Sequence, residues 1–389
     1  MILIIPCVLR QTTMSNGECE FIGASSEAYP PRQLPFRVFD ANMHGLMPDT
    51  PAATLHDVAA AVGVSHMTVH RALAGSPLVR PETCARVQAV ATRLGYRPNL
   101  TARAMRNRRA SRVGLLSSTD WGRTHLTIGL LIGMHDALHL HGLTLGLLRL
   151  SDEELLDHDL LSQQVRQGAG DGLIVAYESH QPQALSATLE ELRIPTIWYN
   201  VRRDADCVYN DDQRCGREAA ERLIALGHRR ILYFCQSYEP DDPTEHYSSG
   251  DRCAGVAAAC AAAGAQLFIQ RGKRLTPERT AFAREALVTS KATAAVCYSG
   301  GAAWSLRQAA SALGRQVPDD LSLISCDGDW GPYQTLTLAG YAPDFTAMGE
   351  QSAEALIARM AAPGSHVAPI RSSPVALPGS GTLSPPATK

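Results

Sequence analysis

The ten cysteines of this chain include no CxxC pair, and none has a histidine at zinc-ligand spacing, so neither a disulfide framework nor a metal cluster is expected. They read as reduced, mostly buried thiols. No apolar run approaches membrane-spanning length, and the opening MILIIPCVL is short with no positive residue before it, which argues against a span and a secretory leader. A cytoplasmic protein without a membrane partner is expected. GxSxG, HExxH, P-loop and dinucleotide fingerprints are all missing, so no enzyme and no cofactor is expected. His135 and His139, with His141 close by, have the i, i+4 spacing of a metal pair, but no carboxylate or cysteine partner is evident; they read as a solvated helix face, and no metal is expected. No internal repeat of useful length is present.

What the chain does contain is concentrated between Thr54 and Met105. With 389 residues and 45% hydrophobic content it can bury a large core and holds more than one domain. Thr54 followed by Asp57 is a capping-box pattern opening a first helix, with Ala59, Ala60 and Ala61 as its small face and Gly63 as its break. Ser65 then caps a second helix that turns Val69, Ala72 and Leu73 inward and leaves His66, Met67, His70 and Arg71 outward. A third helix starts at Pro81, carries Val87, Val90 and Leu94 on one stripe, and stops at Gly95. Two helices joined this way form a helix-turn-helix, whose second helix reads the major groove of double-stranded DNA. Thr54 to Arg112 holds ten arginines against Asp57 and Glu82, a balance of +8, while the first 53 residues carry −2 and the remainder −8. A phosphate-facing surface explains that asymmetry.

Residues 1–53 read as a disordered extension rich in Ser, Pro, Gly and Asn, with Met43 and Met47 as alternative natural starts. The DNA-binding head is expected over 54–98, a hinge helix and linker over 99–112, an effector-binding and dimerisation domain of two subdomains over 113–362, and a loose tail over 363–389. In the large domain short apolar runs alternate with helical stretches, which implies an α/β fold with parallel sheets. Expected strands are 113–117, 172–176, 196–200, 230–234, 294–298 and 321–326, with helices over 126–141, 215–226 and 302–313. Ligands in such sheets sit beyond the carboxyl ends of strands. Asp120, Trp121, Ser299, Asp327 and Trp330 follow those runs and are pocket candidates. His228 and Arg229 mark the turn before a strand and read as structural.

The ordered segments DVAAAVGVSHMTVHRAL, GYRPNLTARAM, DGLIVA, IPTIWYN, LIALGHRRILYF, DRCAGV and VPDDLSLISCDGD resemble the LacI family of transcriptional repressors from about Thr54 to about Ala362. The resemblance implies two subdomains of the periplasmic-binding-protein type closing over a small effector, with the chain first crossing between them near Asn200 to Arg203. It implies base contacts from His66, Met67 and Arg71, and phosphate or groove-wall contacts from Ser65, Thr68 and His70. The last stands where the family usually has Ser. Asn99, Ala102 and Met105 fall in the segment matching the family's hinge helix, with Met105 as the minor-groove wedge usually supplied by Leu. Arg252 matches the effector-clamping Arg and Asp327 the hydroxyl-accepting Asp, a pair suited to a sugar or sugar derivative; Trp121 and Trp330 would offer flat faces to its ring. Ser299-Gly300 replaces the usual Asn-Asp, and TLTLAGYAP blurs the late Leu-Thr-Thr run, so effector identity is not carried over.

The expectation is a repressor of carbohydrate-utilisation genes, a homodimer or larger assembly on a pseudo-palindromic operator. A sugar-binding module, or a regulator whose pocket answers no small molecule, is the alternative. A free-standing exported sugar receptor would have no use for residues 54–112.

Overall fold

The computed structural model describes residues 53–73, 75–96, 110–120, 123–179, 183–239, 242, 245–327, 338–379 and 382–386. The chain divides into two compact units, Met1–Pro98 and Asn99–Lys389.

In the first unit, α1 (Leu55–Val62) opens on Thr54, whose hydroxyl accepts from the Asp57 amide while the Asp57 carboxylate accepts from the Thr54 amide. Such a cap contributes about 1 kcal/mol. Gly63 closes the helix in the left-handed conformation at φ 75°. α2 (His66–Leu73) starts where Ser65 Oγ accepts from the Thr68 amide at 3.1 Å, and α3 (Pro81–Arg93) begins with Pro81 in its first turn. Val58, Val69 and Val87, one from each helix, are fully buried and form the centre of the head.

Two details differ from the sequence reading. Ala60 and Ala61 are exposed and only Ala59 packs inward, because consecutive residues step about 100° around a helix and three in a row cannot share a face. The α3 stripe is completed by Ala91 one turn after Val87, whereas Leu94 is the C-cap and lies exposed.

The second unit holds two six-stranded sheets. β1 (Arg112–Ser118), α4 (Ile128–Leu140), β2 (Thr144–Leu150), α5 (Asp152–Leu156), α6 (His158–Gly168), β3 (Gly172–Ala176), α7 (Gln183–Glu191), β4 (Thr196–Tyr199) and β5 (Cys207–Asn210) build the first lobe. α8 (Asp212–Ala225), β6 (Arg230–Cys235), α9 (Tyr247–Ala262), β7 (Gln266–Arg271), α10 (Arg279–Ser290), β8 (Ala294–Cys297), α11 (Gly300–Ala312), β9 (Ser322–Ser325) and β10 (Ala339–Ala342) build the second. α12 (Phe345–Ala361), β11 (Ile370–Ser372) and β12 (Val375–Pro378) follow.

The strand orders are β2-β1-β3-β4-β5-β11 and β7-β6-β8-β9-β10-β12, parallel throughout except that β12 runs antiparallel to β10. Both are doubly wound, and each reverses direction beside its second strand, which opens a crevice at the carboxyl ends of β1/β3 and β6/β8. Successive residues alternate between cores: Leu115 and Ile174 pack toward α4 and α12, Leu116 and Val175 toward α6 and α7.

All six expected strands and three expected helices are present within a few residues. The first crossing between lobes is not at 200–203 but near Asp211, because the four-residue β5 still pairs with β4 in the first sheet. The chain crosses back at Pro343–Asp344, since α12 packs on the first-lobe core, and a third time between β11 and β12.

The tail expected to be loose is therefore part of both sheets. β11 pairs with β5, β12 pairs with β10, and beyond them Thr382 is buried with its hydroxyl donating to the Leu323 carbonyl. His228 pins the end from below: Nε2 donates to the Ser384 carbonyl at 2.8 Å while Nδ1 meets the Thr293 hydroxyl at 2.9 Å. Its content of Pro and Ser hid this, yet prolines are tolerated at strand ends and on sheet edges. The amino-terminal extension lies outside the described residues, as do Cys7 and Cys19; the other eight cysteines are free, six of them buried.

Candidate DNA-reading helix and effector cleft

On α2 the structure separates inner from outer residues as expected. Val69 and Ala72 are buried, while His66, Met67, His70 and Arg71 are exposed. Ser65 and Thr68 join hydroxyl to hydroxyl at 2.8 Å, and the His66 ring lies 5.4 Å from that of His56 on α1. Arg71 makes no side-chain bond to any described residue, so its guanidinium is available to a ligand. Arg86, by contrast, donates to the Val62 carbonyl at 2.9 Å and ties α3 to the end of α1, so not every arginine of the basic segment is free for phosphate. Asn99, Ala102 and Met105 lie outside the described residues.

In the second unit a cavity of about 220 Å³ sits between the carboxyl ends of the two sheets, where doubly wound folds place ligands. Its lining includes Arg123, His125, Glu178, Asn200, Arg252 and Asp327. A larger cavity of about 740 Å³ opens at the amino end of β4, but Arg359 and His366 on its wall are already engaged by Asp206. Strand ends that carry no switch-point crevice make it the weaker candidate.

Arg252 reaches the cleft because α8 and α9 cross at touching backbones: a Cβ on Gly216 would lie 2.0 Å from the Arg252 carbonyl, and one on Gly255 2.0 Å from that of Gln213. No residue larger than glycine fits either position without separating the helices. The crossing sets Arg252 Nε 2.6 Å from Asp212 Oδ1, and its Nη1 donates to the Tyr298 carbonyl at 2.7 Å. Burial, the largest single influence, would lower the Arg252 pKa, but the Asp212 carboxylate together with Tyr298, Cys215 and Cys326 outweighs it and holds the guanidinium well above its ordinary value. Arg123 is likewise matched, at 3.3 Å by Asp120 and at 2.5 Å by Asp152.

Glu178, just past β3, accepts from the His125 amide at 3.1 Å and from Asn200 Nδ2 at 2.8 Å. It has no guanidinium partner among the described residues, and burial pushes its pKa to about 8 despite those two donors. Asn200, held at φ 55°, serves both lobes. Its carbonyl accepts from His246 Nε2 at 2.8 Å, and its side-chain oxygen accepts from the Tyr247 hydroxyl at 3.1 Å. Burial pushes the His246 pKa down, so it stands as a neutral donor at the start of α9. Arg202 and Asp251 add an ion pair across the same seam.

Of the sequence candidates, Arg252 and Asp327 are brought together. Asp120 is exposed and engages Arg123 beside the cleft without lining it. Ser299 is also not on the wall: its hydroxyl caps α11 by accepting from the Ala302 amide at 3.4 Å, a use favoured by its place directly before a helix. Tyr298, one residue earlier, faces the cavity instead. Trp121 and Trp330 lie outside the described residues. Glu178 and Asn200 were missed although Glu178 stands two residues past one expected strand and Asn200 at the end of another, so the strand-end rule applied to every strand would have pointed to them.

Family models match in two places: bacterial regulatory proteins of the lacI family over residues 54–99, and a periplasmic binding protein-like domain over residues 220–379. The HTH-type transcriptional regulator CelR of Thermobifida fusca is 27% identical over 338 residues, covering 82% of this chain and 94% of CelR. Two solved structures share the fold. A transcriptional regulator CelR–cellobiose complex superposes with a TM-score of 0.58 at 24% identity, covering 85% of this chain and 99% of its own. The lac repressor dimer bound to operator and the anti-inducer ONPF gives 0.67 at 18% identity, covering 86% and 100%. The relatives are transcriptional regulators, and no helix among the described residues is long and apolar enough to cross a membrane.

Proposed function

Because this chain belongs to the LacI family of bacterial regulatory proteins, we propose that it represses carbohydrate-utilisation genes by binding a pseudo-palindromic operator as a homodimer, and that a small sugar in the interlobe cleft controls the grip. The observation that carries the reading is the meeting of Arg252, Asp327, Glu178 and Asn200 at the carboxyl ends of two sheets, in a chain whose other unit exposes the reading face of a capped helix-turn-helix. One reading helix per subunit gives little specific surface, so a two-fold pair is required. Exposed Ile128 and Leu147 on the first lobe, and Ile269 and Val288 on the second, offer apolar area for that pair.

Base edges are met by His66, Met67 and Arg71, phosphates or the groove wall by Ser65, Thr68 and His70, with Asn99, Ala102 and Met105 in the hinge. Arg71 suits guanine O6 and N7, and Met67 a thymine methyl. In the cleft the effector is an uncharged sugar of a single ring. At about 220 Å³ the cavity is smaller than the roughly 300–1,000 Å³ typical of sites for drug-sized ligands. Both guanidinium groups on its wall are already matched by carboxylates, so an anionic sugar finds no uncompensated cation. Polar groups without a paired reactive nucleophile support binding rather than catalysis. Occupancy shifts the angle between lobes and lowers DNA affinity, for which a few kcal/mol of differential affinity suffices. The relatives and the lack of a membrane-crossing helix among described residues support a cytoplasmic protein on the nucleoid.

Thermal-shift screening tests this, because a true ligand raises the melting point by linkage. A panel of neutral monosaccharides, each beside its acid and its phosphate ester, should yield a stabilising neutral member that also releases operator DNA in a mobility shift. A charged member stabilising more than every neutral one would overturn the effector assignment.

A further inference from the structure

The exposed face of α4 carries a pair of imidazoles that the regulatory reading does not use. His135 and His139 stand one helical turn apart, their rings stacked with centroids 5.7 Å apart and planes within 7° of parallel. Both point to solvent on the stripe that begins with Ile128 and Ile132. The partner that the sequence did not reveal is the adjacent residue: Asp136 Oδ1 lies 2.9 Å from His135 Nδ1. A carboxylate only accepts, so Nδ1 carries the proton and Nε2 keeps its lone pair outward, the arrangement in which a carboxylate orients and strengthens a metal-binding histidine. The His139 imidazole makes no hydrogen bond to the described residues, which leaves the ring free to turn toward the same ion.

We propose that His135 and His139 together bind one divalent transition-metal ion on the outer face of α4, with Asp136 as the positioning residue. Imidazole pairs at i, i+4 on one helix face suit zinc, nickel and copper rather than calcium or magnesium. No group of three or more histidine, cysteine or carboxylate ligands gathers among the described residues, so water completes the shell and binding is weaker than at a structural zinc centre. The ion would clamp one turn of the helix beside the apolar residues offered for dimerisation, but ligation needs only a single subunit.

The test uses the full chain with Zn²⁺ and Ni²⁺ as probes and carbethoxylation of individual histidines read by peptide mass spectrometry. Mapping by residue separates this site from the other histidines and cysteines. The expected result is joint protection of His135 and His139 at one metal concentration. His135→Gln should abolish protection of His139, His139→Gln should abolish that of His135, and Asp136→Asn should weaken it by roughly tenfold. All three changes lie on an exposed helix face, and circular dichroism checks that the helix persists. Modification rates unchanged at saturating metal, protection of one histidine without the other, or rings unreactive before metal is added would each overturn the proposal.

Discussion

Arg252→Ala should damage the fold and the pocket together, and the two effects can be separated. The Arg252 and Asp212 side chains are only 8% and 1% exposed and meet at 2.6 Å. Removing one partner of a buried pair leaves the other charge uncompensated, which costs about 3–5 kcal/mol. Whole domains are stable by only about 5–15 kcal/mol, so the variant should fold at low temperature yet melt far earlier than the parent. Asp212→Asn removes the opposite charge and should cost a similar amount.

Combining the two leaves no lone buried charge, so the double variant should be more stable than the sum of single losses predicts, with a coupling of at least about 2 kcal/mol for such neighbours. Urea unfolding of the parent, both single variants and the double variant measures this cycle. Below its melting point Arg252→Ala should still bind operator but no longer respond to the sugar. Additive losses within about 0.5 kcal/mol, or an Arg252→Ala protein as stable as the parent, would refute the reasoning.

Arg71→Ala should reduce discrimination between operator and random DNA by about 1–3 kcal/mol in competition binding; unchanged discrimination removes Arg71 from the readout. Folding keeps on Glu178 a proton that the unfolded chain releases near the ordinary 4.5, so its stabilising contribution is complete below that pH, falls as pH rises, and is gone above about 8. Glu178→Gln should therefore flatten the decline in melting temperature between pH 5 and 9, as assayed by a calorimetric series, and an unaltered slope would contradict the buried-acid description. Ending the chain after Val367 deletes β11, β12 and the Ser384 carbonyl on His228, and should leave the second unit unable to fold. A soluble truncated protein with the parent's melting point would return the tail to the status of a loose extension.

The head was legible almost to the residue because its punctuation is local: Thr54 with Asp57, Gly63, Ser65 and Pro81 act within a turn of where they stand. The buried strands VGLLS, GLIVA and TIWYN were equally plain, since covering both faces demands an unbroken apolar run. The edge strands and their short neighbours were not. β2 and β7 leave residues such as Leu147 and Ile269 exposed, and β5, β10, β11 and β12 break their short apolar stretches with Asn210, Gly340, Arg371 and Pro378, so no run announces them. Their omission misplaced the lobe crossing and mistook the tail for slack chain.

In the cleft, Arg252 was found by resemblance, and Asp327 both by resemblance and by its place after a strand. The departures at Ser299 and Asp120 are local choices between a ligand and a nearby partner: a helix amide in need of a cap and a neighbouring guanidinium. Spacing along the chain does not register such competition. Asn200 carries its role through contacts to residues about fifty positions away, which only the folded arrangement of two lobes brings within reach.

The most direct test selects preferred duplexes from a random pool with the purified full chain, then measures affinity for the winner at physiological salt with and without the stabilising sugar. The account predicts a two-fold symmetric site bound at least about a thousandfold more tightly than bulk DNA, and released when the sugar is added. Enrichment of no sequence, or a selected site held equally well with the cleft filled and empty, would contradict it.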